Sequence, residues 1–458
     1  MNVAMWIQAL RVIPRIDLDE WRRLDLISRW LIAARGAVLV ITFISAGIGG
    51  LLAARAGAFD LVLWSLTTVA LLLAHGTNNL LNDWTDHRKG VDRDNYFRTQ
   101  YGPHPLESGL MTGRGLLTYA AVSGGLALLI GGYLVAVRGP LALALLAAGA
   151  FFVLFYTYPL KYVGLGEIAV LIVWGPLMIG GTYFITTGAW DSTVAFAGLP
   201  YALGATGVIF GKHIDKYAED KAKRIHTLPV IIGERAARSI MAVMLVAQYV
   251  LIAYLVAIGF FTPLLLVVFL ALPKLLPTLR ILRAARPATR PADYPERVWP
   301  GWFVAYAFVH NRRWGSLFLL GLVGDLIADF RAHGKVTKGP FLGRDVLLLT
   351  TKGAKSGLDR TNPVVFTRDG DKLVVVASKG GAPTSPGWYH NLKANPVVTV
   401  ELGGERFAAR ANVAKPESER RRLYDQHSLK NPGFRDYEKR TTRRIPVITL
   451  ERVGPSAR

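Results

Sequence analysis

The sequence predicts a multi-domain protein: an all-α polytopic membrane bundle of about nine helices over residues 31–330, preceded by an interfacial segment at 1–30 and followed by a small β-barrel over 335–458. The composition comes first, since 458 residues that are 52% hydrophobic and only 19% charged are too apolar for an ordinary soluble protein. The apolar residues also gather into runs of about 20, the length that crosses a bilayer as a helix. Near residue 335 the texture changes to short alternating segments separated by Gly, Asp and Pro, which is the pattern of strands.

Eight apolar runs lie near 32–54, 60–82, 115–137, 140–158, 165–187, 194–211, 237–259 and 262–282. A ninth, 298–330, is divided by Asn311, Arg312 and Arg313 into pieces of about 13 and 17 residues, each short for a full crossing. The net charge of +22 is concentrated in particular segments, which is the signature of membrane topology and argues against a nucleic-acid partner. Arg11, Arg15, Arg22, Arg23 and Arg29 precede the first run; Arg88, Lys89, Arg93 and Arg98 follow the second; Lys212, Lys216, Lys221, Lys223 and Arg224 follow the sixth. The alternate loops hold only Arg55 and Arg138. These asymmetries predict a multi-pass protein of the inner (plasma) membrane with the basic loops cytoplasmic. The N-terminal segment is charged and amphipathic, so it is expected to lie along the inner surface and not to be a cleaved signal. The second piece of the ninth run is expected not to complete an outward crossing, which leaves the barrel cytoplasmic too. There are no cysteines, which excludes disulfides, thiolate metal sites and cysteine nucleophiles.

In the C-terminal part, 345–351, 362–367, 372–377, 397–402, 406–413 and 446–450 read as strands, and 386–393, 417–427 and 434–442 as helices. Six strands with few helices favour a small barrel over a doubly wound sheet. No Gly-x-Gly-x-x-Gly motif sits between a strand and a helix there.

The first candidate site closes the second apolar run. Asn79, Asp83 and Asp86 are spaced by four and three, which puts them on one helix face, with Asp92 shortly after. An ionised carboxylate near the middle of a membrane helix costs roughly 2.5–3.5 kcal/mol on insertion scales, so such a stripe needs a partner. Hard oxygen donors of this kind suit Mg2+, which joins a few carboxylates to substrate phosphates. A second acidic cluster with Asp215, Glu219 and Asp220 ends the sixth run on the same side. A diphosphate held between the clusters would become a good leaving group, with Arg88, Lys89, Lys212, Lys216 and Arg224 available to take up its charge. Asp83, Asp86, Asp215, Asp220 and Lys212 are therefore the catalytic candidates. The plain alternative is that the aspartates terminate a helix and pair with Arg88 and Lys89 among the headgroups.

Asn82, Asp83 and Asp86 with Gly90 and Asp92, and the later stretch from Tyr156 through Lys161 to Glu167, resemble the aspartate-rich motifs of the UbiA superfamily of intramembrane aromatic prenyltransferases, in the branch that prenylates dihydroxynaphthoate for menaquinone. The resemblance covers roughly residues 25–330. It implies Mg2+, a polyprenyl diphosphate donor and an aromatic acceptor, with metal ligands at Asn79, Asp83 and Asp86 and a further candidate at Asp92. The second motif departs from the family pattern, in which two aspartates are commonly four apart. Asp215 and Asp220 are five apart and would point about 140° from one another on a regular helix. Asp215 and Glu219 share a face, and Lys216 holds the slot four before Asp220. Thr227, Leu228 and Pro229 after the cluster support Asp220 as the aligned residue. Glu167 has two readings, polarisation of the acceptor or an interfacial pair with Lys161.

The second candidate site lies in the barrel. A glycine-rich turn with Lys352, Lys355, Ser356, Gly357 and Arg360 joins two strands and can form an anion nest. A second turn at Ser378, Lys379 and Gly380 leads to Trp388, Tyr389 and Asn391, so cations are followed by flat rings. Together with the stretch from Arg440 to Val447, these segments resemble the deazaflavin-dependent nitroreductase family, whose fold is a split β-barrel. The resemblance implies the deazaflavin coenzyme F-420, with FMN as the alternative. Lys355, Ser356, Gly357, Arg360, Ser378, Lys379 and Gly380 would surround its phosphate end. Asn362, Pro363 and Val365 would lie along the ring, Trp388, Tyr389 and Asn391 would shape the site, and Tyr437 matches a substrate-side position. Taken together, the expectation is a prenyltransferase fused to a reductase that acts on the quinone or its tail. The competing class is a membrane lipid-binding or transport protein that has lost transferase chemistry, and Mg2+-dependent product formation separates the two.

Overall fold

The computed structural model describes residues 2–56, 58–91, 103–296, 298–333, 345–354, 356–381, 384–403, 405–439 and 441–453. The chain forms two compact units, one of Met1–Ala53 with Phe59–Asp325 and the other built on Leu326–Arg458.

The first unit is all helical. Its elements are α1 (Val3–Arg11), α2 (Leu18–Arg23), α3 (Leu26–Ala33), α4 (Leu39–Arg55), α5 (Leu61–Arg88), α6 (Gly113–Arg138) and α7 (Pro140–Phe155). There follow α8 (Gly166–Ile172), which runs on through a π-helical stretch at Val173–Gly180 into α9 (Gly181–Thr187), then α10 (Ser192–Ala197), α11 (Leu199–Asp215), α12 (Tyr217–Ala222) and α13 (Leu228–Ile232). The long α14 (Glu234–Ala257), a 3-10 turn at Pro263–Ala271 leading into α15 (Leu272–Ile281), and α16 (Phe303–His333) complete it. Each of the nine expected runs holds helix. Among the described residues six helices or helix runs are long and apolar enough to cross a bilayer: Gly36–Arg55, Leu61–Arg88, Gly113–Arg138, Gly166–Thr187, Glu234–Ala257 and Pro263–Ile281.

Local chemistry sets the boundaries. Asp60 Oδ1 accepts from the amides of Val62 and Leu63 at 2.9 and 3.0 Å and so starts α5. Gly139, at φ 76, ends α6, and Pro140 at the first position of α7 continues the chain without losing a helix bond. Pro176 inside the span of α8 and α9 accounts for the π-helical stretch, because a proline removes one ladder hydrogen bond.

Two expectations change here. The N-terminal segment does not merely lie on a surface, since Met5, Ala9 and Trp21 are buried with Leu31, Leu80 and Leu116 in one cluster. Asp25 anchors it by accepting from Trp6 Nε1 at 3.0 Å and from the Asn2 amide at 2.8 Å. The anticipated break at Asn311, Arg312 and Arg313 is also absent, because α16 is one helix of 31 residues. Nothing in that polar triplet breaks a helix: none of the three is glycine or proline, and Asn311 is fully buried.

The second unit is a closed antiparallel barrel in the order β1-β2-β3-β6-β5-β4. Its strands are β1 (Val346–Lys352), β2 (Asp359–Asp369), β3 (Lys372–Val376), β4 (Val397–Leu402), β5 (Glu405–Val413) and β6 (Val447–Arg452). Three helices accompany them, α17 (Gly387–Ala394), α18 (Glu417–Lys430) and α19 (Gly433–Lys439). The period of two is filled on both faces. Leu347, Leu349, Val364 and Val400 share one core with Trp388, whereas Val346, Leu348, Val365 and Val447 share another with Tyr424 and Phe434 from the helices. All six expected strands and all three helices of this unit are present, with ends shifted by a few residues.

Candidate functional site

In the first unit, three loops meet at the end of α5. The Lys223 ammonium donates to the carbonyls of Gly90, at 3.4 Å, and Val91. Val163 and His226 form an isolated parallel bridge, which joins the loop after α7 to the loop after α12. The two acidic clusters therefore do approach one another.

Asp83 and Asp86 are buried side by side, and each faces a cation distant in sequence. The Arg35 guanidinium donates to Asp83 Oδ1 and, at 3.3 Å, to Asn82 Oδ1. Arg35 itself sits in the left-handed region at φ 58, in the turn between α3 and α4. The Lys161 ammonium donates to both oxygens of Asp86 at 2.8 Å. Asn82 Nδ2 donates to Asp86 Oδ2 at 3.2 Å and to Thr157 Oγ1 at 3.1 Å, which ties α5 to the loop after α7. His104 is fully buried; its Nδ1 accepts from the amides of Leu106 and Glu107, each at 3.3 Å, and its Nε2 lies 3.9 Å from Asp83 Oδ1. Asn79 Nδ2 donates to the Ala34 carbonyl at 2.9 Å, and the residue lines a cavity.

That cavity has a volume of about 880 Å³. Arg35, Asn79, Asn82, Tyr156 and Lys212 line part of it, and apolar side chains such as Leu134, Val173, Leu177 and Phe308 line most of the remainder. Arg11 and Arg312 also reach its wall. The Tyr156 hydroxyl is buried without a hydrogen-bond partner among the described residues. A hydroxyl held dry and unpaired costs roughly 1–3 kcal/mol, so a ligand that accepts from it recovers that energy.

The residues expected at this site separate into those at its centre and those elsewhere. Arg88 is exposed and lies over the Trp84 ring, 5.0 Å from its centroid. The Lys89 ammonium sits 3.3 Å from the Tyr158 ring centroid and 4.7 Å from that of Tyr162. Neither pairs with Asp83 or Asp86, so the plain headgroup alternative does not describe these aspartates. Arg224 is exposed in a left-handed turn at φ 54. Asp92, with Arg93 and Arg98, lies outside the described residues.

In the second cluster α11 stops at Asp215 and α12 restarts at Tyr217, so a continuous helix through the cluster is not formed. Asp215 turns to a different task. Its Oδ2 accepts from the amides of Trp302 and Val304 at 2.9 and 3.0 Å, and its Oδ1 from that of Phe303 at 3.0 Å. These are orphan amides at the start of α16, so Asp215 is a capping group supplied by another helix and both its oxygens are engaged. Gly211 permits the close approach, since a Cβ there would lie 2.8 Å from the Val304 amide nitrogen. Asp220 is buried beside Lys216, with Nζ to Oδ1 at 3.7 Å, and Glu219 Oε2 is buried without a partner among the described residues. Glu167 does not pair with Lys161. Its Oε1 lies 2.6 Å from His213 Nδ1 and its Oε2 accepts from the Leu228 amide at 3.4 Å, which fastens α8 to α11 and α13.

The donors at Asn79, Asp83, Asp86, Glu219 and Asp220 are all oxygens, the chemistry that Mg2+ prefers. Among the described residues no three of His, Cys, Asp and Glu converge as a ready cage. The set fits Mg2+ that arrives with phosphate oxygens and takes only one or two carboxylates from the protein.

In the barrel, Asn391 fastens α17 to β1 and the first glycine turn. Its Oδ1 accepts from the Ala354 amide at 3.1 Å and its Nδ2 donates to Thr351 Oγ1 at 3.2 Å. The first turn closes by Gly357 donating to the Gly353 carbonyl at 2.8 Å, with Gly357 at φ 66. Ser356 and Arg360 are exposed beside it, whereas Lys355 lies outside the described residues. In the second turn Lys379 is left-handed at φ 49, its Nζ donates to Thr384 Oγ1 at 3.1 Å, and the backbone continues through Gly380. Arg443, an unassigned member of the 440–447 stretch, holds this turn. Its Nη2 donates to the carbonyls of Ala377 and Ser378 at 3.0 and 2.7 Å, and its Nη1 to Ser385 Oγ at 3.3 Å. Pro363 is exposed on β2, Asn362 is half-buried, and Val365 is buried under α18 and α19. Trp388 belongs to the barrel core, Tyr389 packs against that core, and Tyr437 stacks edge-on with Phe434 at 5.1 Å. Exposed hydroxyl and cationic groups at these two turns, with Pro363 exposed on β2, fit a phosphorylated flat-ringed coenzyme. The burial of Val365 and Trp388 makes them the backing of such a site.

Residues 40–322 match the UbiA prenyltransferase family, and residues 327–452 match the quinone reductases that depend on reduced coenzyme F-420. A quinone reductase of Mycobacterium tuberculosis (strain H37Rv) that depends on the same reduced coenzyme is 46% identical over 108 residues, 23% of this chain and 72% of that protein. A 1,4-dihydroxy-2-naphthoate octaprenyltransferase of Bacillus subtilis (strain 168) is 26% identical over 243 residues, 52% of this chain and 77% of that protein. The structure of a UbiA homolog from Archaeoglobus fulgidus bound to GPP and Mg2+ aligns with 65% of this chain and 99% of its own at 14% identity and a TM-score of 0.44.

Proposed function

This chain belongs to the UbiA prenyltransferase family through residues 40–322 and to the coenzyme F-420-dependent quinone reductases through its barrel, and from that premise we propose a two-step quinone enzyme. The membrane unit transfers a polyprenyl group from its diphosphate to an aromatic acceptor such as dihydroxynaphthoate, which leaves a hydroquinone; once a separate two-electron acceptor has oxidised that product to the quinone, the barrel returns it to the hydroquinone with the deazaflavin coenzyme. The observation that carries the reading is a mostly apolar cavity of about 880 Å³ to whose wall Arg35, Asn79, Asn82, Tyr156 and Lys212 contribute beside the buried Asp83 and Asp86.

The diphosphate lies beside these residues, within reach of Arg35, Lys212 and the Tyr156 hydroxyl, and the prenyl tail lies along the apolar wall. Asn79, Asp83 and Asp86, together with Glu219 and Asp220, would hold Mg2+, which would supply the positive charge that makes the diphosphate a good leaving group. Arg35 and Lys161 orient the two aspartates before substrate arrives, and afterwards they turn toward phosphate oxygens. As the allylic carbon–oxygen bond breaks, its electron pair leaves with the diphosphate. The acceptor ring forms the new carbon–carbon bond and loses a proton. The dry wall keeps water from the allylic cation.

In the barrel, the turns at Ser356 to Arg360 and at Ser378 to Gly380 would hold the reduced coenzyme, which would supply hydride to the quinone, with a proton completing the hydroquinone. Arg443 and Asn391 hold the two turns that bind the coenzyme, and Tyr437 is the substrate-side group. The basic loops support a cytoplasmic position for the acidic motifs. A cytoplasmic barrel, where reduced coenzyme is made, is supported by the polar residues 310–313, which disfavour seating all of α16 in hydrocarbon. A reporter fused after Arg458 should be active inside the cell.

The decisive assay incubates purified protein with labelled prenyl diphosphate and a panel of aromatic acceptors. The native protein should give Mg2+-dependent product, and Asp83→Asn should lose at least about a hundredfold in rate while keeping its fold. Equal turnover by the variant would overturn the site.

A further inference from the structure

A groove of about 700 Å³ runs along the outside of the first unit between α14 and the end of α15, away from the residues of the acidic clusters. Arg235, Arg238 and Arg283 line one end of it. Ala242, Val246 and Val250 continue the same face of α14, and Leu279 forms the opposite wall. Intervals of three, four, four and four keep Arg235, Arg238, Ala242, Val246 and Val250 in one row. At 1.5 Å per residue the apolar part of the row, from Ala242 to Val250, is about 12 Å long, close to the depth of one leaflet of a 30 Å hydrocarbon core.

The three arginines differ in freedom. Arg238 is fixed, with Nε 3.3 Å from Glu234 Oε1 and Nη1 donating to the Leu282 carbonyl at 3.0 Å. That pair fastens α14 to the end of α15 and makes the floor of the basic end. Arg235 and Arg283 are exposed on either side of it, and neither has a carboxylate partner among the described residues. The row thus offers two uncommitted cations where headgroups lie and an apolar trough one leaflet deep below them.

We propose that this groove binds an anionic phospholipid, with its phosphate between Arg235 and Arg283 and one acyl chain along Ala242, Val246 and Val250. A zwitterionic lipid offers the same chain but adds a cation where two arginines already stand. A free phosphate offers the charge and leaves the trough empty. Basic pockets between helices at the end of a membrane bundle recognise acidic headgroups by this division of labour, each cation near the surface contributing about 1 kcal/mol.

The full chain, purified in neutral detergent, is titrated with phosphatidylglycerol, phosphatidylcholine, inorganic phosphate and geranylgeranyl diphosphate, and bound lipid is counted by native mass spectrometry. One phosphatidylglycerol should bind in preference to phosphatidylcholine, and the pair Arg235→Gln with Arg283→Gln should weaken it by about thirtyfold. Ala247→Phe, which fills the trough without touching a charge, should weaken it as well, and both variants should keep the thermal midpoint of the native protein. Equal binding of the two phospholipids, or unchanged binding in both variants, overturns the proposal. So does displacement by inorganic phosphate at lipid-like concentration, which would mean that the apolar wall contributes nothing, or preferential capture of the prenyl diphosphate at this groove.

Discussion

Replacing Asp215 by Ala should damage the fold and spare the chemistry, the reverse of what a metal ligand would do. The side chain receives three amides, those of Trp302, Phe303 and Val304, at 2.9–3.0 Å, and its exposure is only 3%. Losing a capping oxygen costs about 1–2 kcal/mol, and a buried amide left without an acceptor costs about 1 kcal/mol or more. Three amides together therefore place the loss near 3 kcal/mol, somewhat more than a hundredfold in the folding equilibrium. Asp215→Asn keeps one acceptor oxygen and should lose about half as much. Unfolding in mixed micelles, followed by tryptophan fluorescence, measures this loss, and Trp302 lies at the perturbed turn. Because α16 contributes Val304 and Phe308 to the cavity, turnover per folded molecule should fall modestly, but the Mg2+ concentration for half-maximal rate should not move. An unchanged unfolding midpoint with a tenfold or larger rise in that Mg2+ concentration would refute the capping role and return Asp215 to the metal.

Lys161→Met leaves Asp86 without its cation, and breaking a buried pair of this kind costs about 3–5 kcal/mol, so the thermal midpoint should drop and Mg2+ should restore part of it; no response to Mg2+ would count against Asp86 as a ligand. Arg443→Ala removes three hydrogen bonds from the turn at Ser378 and Lys379 and should weaken coenzyme binding about tenfold in a fluorescence titration, whereas unchanged affinity would place the coenzyme elsewhere. In the barrel, the Arg422 guanidinium hydrogen-bonded to Asp369 holds that carboxyl below its ordinary value. The stabilisation is complete above the unfolded carboxyl's pKa of about 3.9 and is lost as pH falls through the lower folded value. The barrel's melting temperature should therefore decline slightly below about pH 4, and Asp369→Asn should lack that part of the decline.

The parts of the molecule that were legible from sequence are those whose physics is local. Short apolar segments located all six strands: β4 and β5 alternate because only their inner face is buried, whereas β1 and β3 read as continuous apolar runs because α18 and α19 cover their outer face as well. Runs of about 20 apolar residues located the membrane helices for a similar reason. Asp83 and Asp86 stood out because a helix supplies their alignment by itself. Arg35, His104 and Lys161 did not, because they reach the aspartates from segments 48, 21 and 75 residues away. Asp215 could not be told from a ligand, since a carboxylate that caps a distant helix has the same local sequence as one that binds a metal. The only hint was its five-residue offset from Asp220, which is explained by the helix stopping at Lys216. Trp388 follows a basic turn as a binding aromatic would, yet its ring fills the barrel core, and only packing distinguishes those roles. Arg443 was visible as part of a basic stretch, but its use as a clamp on carbonyls depends on a turn 65 residues earlier.

The proposed chemistry requires a metal-bridged diphosphate between the acidic helix ends, with its tail in the apolar cavity. A structure of the protein with a non-hydrolysable prenyl thiodiphosphate and Mn2+ in place of Mg2+, with the metal located by anomalous scattering, tests it most directly. Metal should lie within about 2.0–2.3 Å of oxygens from Asp83 and Asp86, phosphate oxygens against Arg35 and Lys212, and the tail along Val173 and Leu177. Metal bound away from both aspartates, or a tail lying outside the cavity, would contradict it.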